Sequence, residues 1–204
     1  MDLNALRYRM SNDSNKLDTE FRYYGILVPI INIGGDLHLL FEVRSHRLRR
    51  QPGEICFPGG KKESNETFKE AAIREAVEEL NILKSSIEIL GKLPSVGTHY
   101  NNIIYPFVGI LHDVNFKEID FNRAEVDHIF SVPIDFFLEN PPLEHFIETQ
   151  PNPLGDFPIH LLPNGEDYPW FKGKYQVYFY QYGSYVIWGL TAKTIKNFVD
   201  IIST

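Results

Sequence analysis

The chain has 204 residues, 43% of them hydrophobic, and a net charge of −7; that length supports one sizeable core, and that charge argues against salt-driven binding along a nucleic-acid backbone. Cys56 is the only cysteine, which excludes an intramolecular disulfide and points to a reducing compartment. No apolar stretch approaches the roughly 20 residues that span a bilayer, and the opening residues lack the apolar segment of a secretory signal, so a cytoplasmic protein with neither membrane nor nucleic-acid partners is expected.

Residues 1–20 are polar and are expected to form a loosely attached arm, with 21–204 a single domain. Residues 24–31 and 37–43 are β-rich and apolar on either side of Gly34-Gly35, which predicts a hairpin. A basic stretch with Arg44, Arg47, Arg49 and Arg50 follows. Pro52-Gly53 and Phe57-Pro58-Gly59-Gly60 then bracket a short strand, in which Cys56 is expected to be a small core residue. Residues 67–80 carry the clearest helical pattern, with Ala72, Ile73, Ala76, Val77 and Leu80 on one face and Glu75, Glu78 and Glu79 together on another. Asn81 suits the left-handed residue that ends a helix. Strands are predicted over 87–93, 103–111 and 126–132, with Pro133 opening a short helix over 134–138. Residues 140–174, rich in Pro and Gly, are read as a long functional loop. A hairpin follows over 175–182 and 185–188, and Thr191 is expected to cap a last helix with Ile195, Phe198, Val199 and Ile202 on its apolar stripe. Strands on both sides of one long helix, and a second helix at the end, predict an α/β fold with a mixed sheet covered on both faces.

Chemistry concentrates around the long helix. Residues at i, i+3 and i+4 are surface neighbours, so Glu75, Glu78 and Glu79 bring three carboxylates into a small volume. Taken alone, a Glu-rich helix face is a solvated surface, and Arg74 between Glu70 and Glu78 reads as a surface ion pair. A cation among the three acids would relieve their repulsion, and hard oxygen ligands suit Mg²⁺ or Mn²⁺. Gly59-Gly60 are expected to turn the backbone sharply beside this face and leave a carbonyl, that of Gly60, as a further ligand.

Gly60, Glu66, Arg74, Glu75, Ala76, Glu78, Glu79 and Ile82 fall in the spacing of the Nudix box, with Asn81 in place of its second glycine. The resemblance implies a Nudix-type α/β/α sandwich around a mixed β-sheet and a Mg²⁺- or Mn²⁺-dependent diphosphatase. It implies Glu75 and Glu79 as principal metal ligands, Glu78 sharing in them, and Glu66 and Arg74 as structural members of the motif. Glu125, before a strand, stands where such enzymes often place another acid, which would be a second metal ligand or a catalytic base. His99 and His128 lack zinc-ligand spacing and read as ordinary histidines.

A second resemblance narrows the substrate. Arg44, Ser45, Arg49, Gly53 and Phe57-Pro58-Gly59-Gly60 match the additional motif of the coenzyme A pyrophosphatase branch, whereas Glu42 replaces its threonine and Gln51 stands where a histidine is expected. That branch implies cleavage of coenzyme A or a derivative to 3′,5′-ADP and 4′-phosphopantetheine. Arg44 and Arg49 would be the phosphate-binding pair, since guanidinium groups hold phosphate oxygens by two parallel hydrogen bonds. The alternatives are a Nudix hydrolase of another nucleotide such as ADP-ribose or NADH, and a non-catalytic nucleotide sensor.

Overall fold

The computed structural model describes residues 2–4, 7–8, 21–98 and 101–204; most of the arm expected over 1–20, and His99, lie outside the described residues. Two long strands, β1 (Arg22–Ile33) and β2 (Asp36–Arg44), form an antiparallel hairpin. Gly34 and Gly35 turn it with φ of 68° and 107°, values that a side chain resists. On the far edge of β1 lies β7 (Asn102–Leu111), parallel to it, followed by antiparallel β5 (Ile87–Lys92). The far edge of β2 takes β8 (Val126–Pro133), antiparallel. Short strands β3 (Ile55–Cys56), β4 (Gly59–Lys61) and β6 (Val96–Gly97) complete a mixed sheet of eight strands.

Both faces of this sheet are apolar because its strands alternate core residues upward and downward. Leu27, Ile31 and Leu40 face helix α1 (Phe68–Leu80), meeting Ala72, Ala76 and Leu80. Val28, Leu39 and Phe41 face the other way, toward α2 (Ile134–Glu139) and α3 (Gly189–Ile202), where Phe137, Ile195 and Phe198 close the layer. The result is the expected α/β/α sandwich around a mixed sheet. Helix α1 lies so near β1 that a Cβ at Gly25 would meet the carbonyl oxygen of Phe68 and, at 2.9 Å, the nitrogen of Ala72.

Three expectations change. Residues 140–174 are not one loop: β9 (Leu143–Thr149) pairs along its whole length with β10 (Gly173–Tyr182), which with β11 (Tyr185–Trp188) makes a second, three-stranded sheet. The side chains of β9 are exposed on both faces apart from Thr149, so no burial period marks it in the sequence. Thr191 is not the cap of the last helix, which begins at Gly189 after Trp188 without a side-chain cap; its hydroxyl donates to the Ile55 carbonyl at 2.9 Å and ties α3 to β3. Cys56 is half-buried rather than central, and burial pushes its thiol above the usual range. No helix among the described residues is long and apolar enough to cross a membrane.

Candidate active site

Helix α1 is fixed at both ends. At its start the Thr67 hydroxyl accepts from the Glu70 N–H at 3.2 Å while the Glu70 carboxylate accepts from the Thr67 N–H at 2.8 Å, a reciprocal cap. Glu70 is thereby committed to the cap instead of pairing with Arg74. At its end Asn81 adopts φ 51°, ψ 40°, the left-handed conformation that its small polar side chain tolerates. Asn81 also does what a glycine could not: its side-chain amide donates to the Asp120 carbonyl, while the Asn122 N–H donates to the Glu79 carbonyl at 2.8 Å. The segment leading to Glu125 is therefore fastened to the end of the acid-bearing helix.

Between these ends the three glutamates separate. Glu79 is 5% exposed and accepts from the Gly59 N–H at 2.9 Å. Glu75 is half-buried against Gly60, where a Cβ would collide with its carboxylate. Glu78 stands further out: its side chain is 56% exposed and its ion pair among the described residues is with Arg74, at 3.4 Å. Gly59 and Gly60 have no positive φ and make no sharp turn; they are strand residues of β4 paired with Ile26 and Gly25. They are needed for space, since a Cβ at Gly59 would lie 2.6 Å from the Ile26 side chain.

Arg74 is more than a surface ion pair. Its guanidinium grips both oxygens of Glu66, at 2.9 and 3.1 Å, and donates to Glu75 at 2.9 Å and to the Lys61 carbonyl at 3.3 Å. Glu66 also accepts from the Glu63 N–H at 2.8 Å. The Arg74 bonds foremost, with that N–H, hold the Glu66 carboxyl down to about 2. One residue thus locks the 61–66 loop to the helix and orients Glu75.

The arginine loop joins the site from β2. Ser45 is buried, and its N–H donates to the Glu125 carbonyl at 2.8 Å. The loop closes through Arg44 N–H to the Glu54 carbonyl and Gly53 N–H to the Arg44 carbonyl, both 2.9 Å. Gly53, at φ 73°, lies where a Cβ would sit 2.7 Å from the His46 ring. Arg44 is half-buried and within electrostatic reach of Glu42 and Glu79. Arg47, Arg49 and Arg50 are exposed and form no ion pair among the described residues. Glu125 is exposed and electrostatically coupled to Glu42, Glu75 and Glu79. His128 bonds Asp127 and Tyr185, at 2.8 and 3.2 Å, away from this cluster.

Sequence reasoning passed over one member. Glu42, in the sequence only a departure from a threonine, is 1% exposed and points to the α1 side of the sheet against Glu79. The available signal was its parity: in a strand where Leu40 faces α1, residue 42 must face it too. Burial first, then the charge of Glu79, raises the Glu42 carboxyl well above the carboxylate range. Burial likewise dominates at Glu79, opposed by the Gly59 bond and joined by the charges of Glu75 and Glu125, and pushes it up to about 8. Glu75 is raised by burial against the opposing pull of Arg74.

As placed, no three His, Cys, Asp or Glu side chains among the described residues are arranged to hold a metal ion; Glu75 accepts from Arg74 and Glu79 from the Gly59 N–H. The chemistry of the set nevertheless fits a hard divalent cation. Its donors are all carboxylate oxygens, burial leaves them short of countercharge, and Oε1 of Glu42 is buried without a hydrogen-bond partner among the described residues.

This electrostatic imbalance fixes how metal-free stability depends on pH. A raised carboxyl holds its proton more tightly in the folded chain. As pH rises from 4.5 to about 8, the unfolded chain loses the Glu79 proton first, and stability falls through that window. Glu66 works in the opposite sense, but its window lies below it, from 4.5 down to about 2. In excess chelator the melting temperature is therefore expected to fall between about pH 5 and pH 8, and saturating Mg²⁺ should offset the fall by binding the ionised form. Thermal unfolding across that range checks both halves; a chelated protein that gains stability toward pH 8 would contradict the assignment.

Residues 22–149 match the family model of the NUDIX domain. Over 116 residues the chain is 41% identical to the peroxisomal coenzyme A diphosphatase NUDT7 of Mus musculus, covering 56% of this chain and 48% of that protein. Over 120 residues it is 36% identical to the peroxisomal coenzyme A diphosphatase ndx-8 of Caenorhabditis elegans, covering 57% of this chain and 50% of that one. The chain thus spans about half the length of these relatives. In fold it is similar to a MutT/nudix family protein from Enterococcus faecalis, with a TM-score of 0.53, 11% identity, and coverage of 100% of this chain and 71% of that one. With the family model covering more than half of its residues, including the helix and loop that carry the acids, the chain belongs to the Nudix family.

Proposed function

We propose that the chain is a divalent-cation-dependent diphosphatase that hydrolyses coenzyme A or a derivative to 3′,5′-ADP and 4′-phosphopantetheine. One observation carries this reading: the arginine loop is hydrogen-bonded, Ser45 to Glu125, beside the half-buried Glu75 and the buried Glu79, with which Glu125 interacts electrostatically. Cationic groups for phosphates and anionic groups for a metal ion thus share one edge of the sheet. The printed names of the two coenzyme A diphosphatases support the choice of substrate.

When bound, Mg²⁺ or Mn²⁺ supplies charge neutralisation of the diphosphate and lowers the pKa of water. Glu75 and Glu79 would hold it, with the Gly60 backbone kept in register beside Glu75 by β1. Arg74 keeps Glu75 from swinging away. Glu125, exposed yet coupled to the other acids, takes a proton from the attacking water. Water adds to one phosphorus, the bridging P–O bond breaks, and each half leaves with a terminal phosphate. Arg44 and Arg49 orient the phosphates. A cytoplasmic location belongs to the same proposal and rests on the single cysteine.

The test is a panel of coenzyme A, dephospho-coenzyme A, ADP-ribose and NADH with Mg²⁺, products separated by chromatography. Coenzyme A is expected to have the highest kcat/KM and to yield the two named products. Preference for ADP-ribose or NADH would overturn the substrate. Binding without turnover of any of them would replace the enzyme by a sensor.

A further inference from the structure

Glu42 enters the acid cluster from the central sheet, meets Glu79 there, and keeps one buried oxygen without a partner among the described residues. It sits in β2 between two paired strands, opposite Cys56 on one side and Ile129 on the other, so the backbone beneath it is rigid. Its carboxyl is 1% exposed, contacts Glu79 and lies within electrostatic reach of Glu125. Its Oε1 accepts no hydrogen bond from the described residues. The neighbouring cation is Arg44, but Nε of Arg44 is also buried without a partner, and the two side chains form no ion pair among the described residues. A buried carboxyl oxygen lacking both donor and counterion is unfavourable, and a cation beside it would relieve that cost. The threonine that the related motif carries here would place only a hydroxyl at this point.

We propose that Glu42 is a ligand of the divalent cation, a carboxylate supplied by β2 opposite those supplied by α1. This rests on the site being a metal site, as proposed above, and goes beyond it by adding a donor from another element. Clamping the ion between sheet and helix fixes it relative to the core. Helix ligands alone would let it follow the helix surface.

Direct titration of the full-length protein with Mn²⁺, following the free-ion signal by electron paramagnetic resonance, tests this without reference to catalysis. Glu42→Gln is isosteric and supplies an N–H that can donate to Glu79, so a role limited to propping Glu79 survives the change, whereas a ligand role is weakened by loss of the charge. The expected result is a rise of about tenfold in the Mn²⁺ dissociation constant, within the range found when groups supporting a metal are removed. Water-proton relaxation by the bound ion should also increase as a solvent molecule takes the vacated position. In chelator the variant should melt at or above the parent temperature, since a buried acid with an unpaired oxygen is gone. Glu42→Thr, smaller and uncharged, should weaken Mn²⁺ binding at least as much, and it serves if the glutamine variant does not fold. Unchanged affinity and relaxation in a folded variant would overturn the proposal while leaving the metal site standing. Failure of the parent protein to bind Mn²⁺ at all would overturn both.

Discussion

Glu79→Gln is expected to lower turnover by about a thousandfold while leaving the fold intact. Charge stabilisation by a catalytic cation is worth several kcal/mol, and about 4 kcal/mol corresponds to that factor. Glu79 is the acid most committed to the site: 5% exposed, pushed up to about 8, and aimed at the Gly59 N–H of the adjoining strand. Glutamine retains an oxygen for that N–H and removes only the charge. The substitution should therefore raise, or at least preserve, the melting temperature in chelator. A combined fall in kcat and rise in metal-free stability is a signature that general damage to the helix would not produce. Near-parental kcat/KM at saturating Mg²⁺ would remove Glu79 from the ligand set.

The parts of the molecule legible in the sequence are those governed by local chemistry. Thr67 and Asn81 mark the two ends of α1 because capping is a matter of one side chain and one backbone conformation. Gly34-Gly35 marks the first hairpin for the same reason. What escaped depends on approach between distant segments. Gly59 and Gly60 look like turn residues in a one-dimensional reading, yet they are required because Ile26 and Glu75 press upon them from β1 and α1. Thr191 looks like a cap, yet its hydroxyl serves a carbonyl 136 positions earlier. In the same way the helix period groups Glu75, Glu78 and Glu79, but it cannot say which of them the β4 edge will enclose. The enclosed pair is Glu75 and Glu79, and their further neighbour Glu42 comes from a strand with no helical spacing to announce it. Asn81 shows the reverse. Its departure from glycine reads as a tolerated exchange, and the structure gives the side chain a purpose in anchoring the segment before Glu125.

Arg49→Ala separates the substrate from its near relatives. Arg49 is exposed, in a loop whose shape is set by other residues: the buried Ser45, the left-handed Gln51 and Gly53, and the bonds joining Arg44 to Gly53 and Glu54. Its guanidinium has no ion pair among the described residues to lose. Truncation should leave stability within about 0.5 kcal/mol, as is usual for a surface site, so a change in activity reports contact with a ligand. If that contact is the 3′-phosphate, its loss costs about 1.5–3 kcal/mol, the worth of a charged hydrogen bond, or roughly a tenfold to hundredfold drop in kcat/KM for coenzyme A. Dephospho-coenzyme A lacks that phosphate and should be hydrolysed almost equally by parent and variant. Measuring both substrates on both proteins turns the assignment into a ratio, and the ratio cancels any shared loss from loop disturbance. Equal losses on the two substrates would move Arg49 from the 3′-phosphate to the diphosphate. No loss on either would leave the guanidinium as a solvating group and shift the burden of phosphate recognition to Arg44, the loop's half-buried arginine beside the acids.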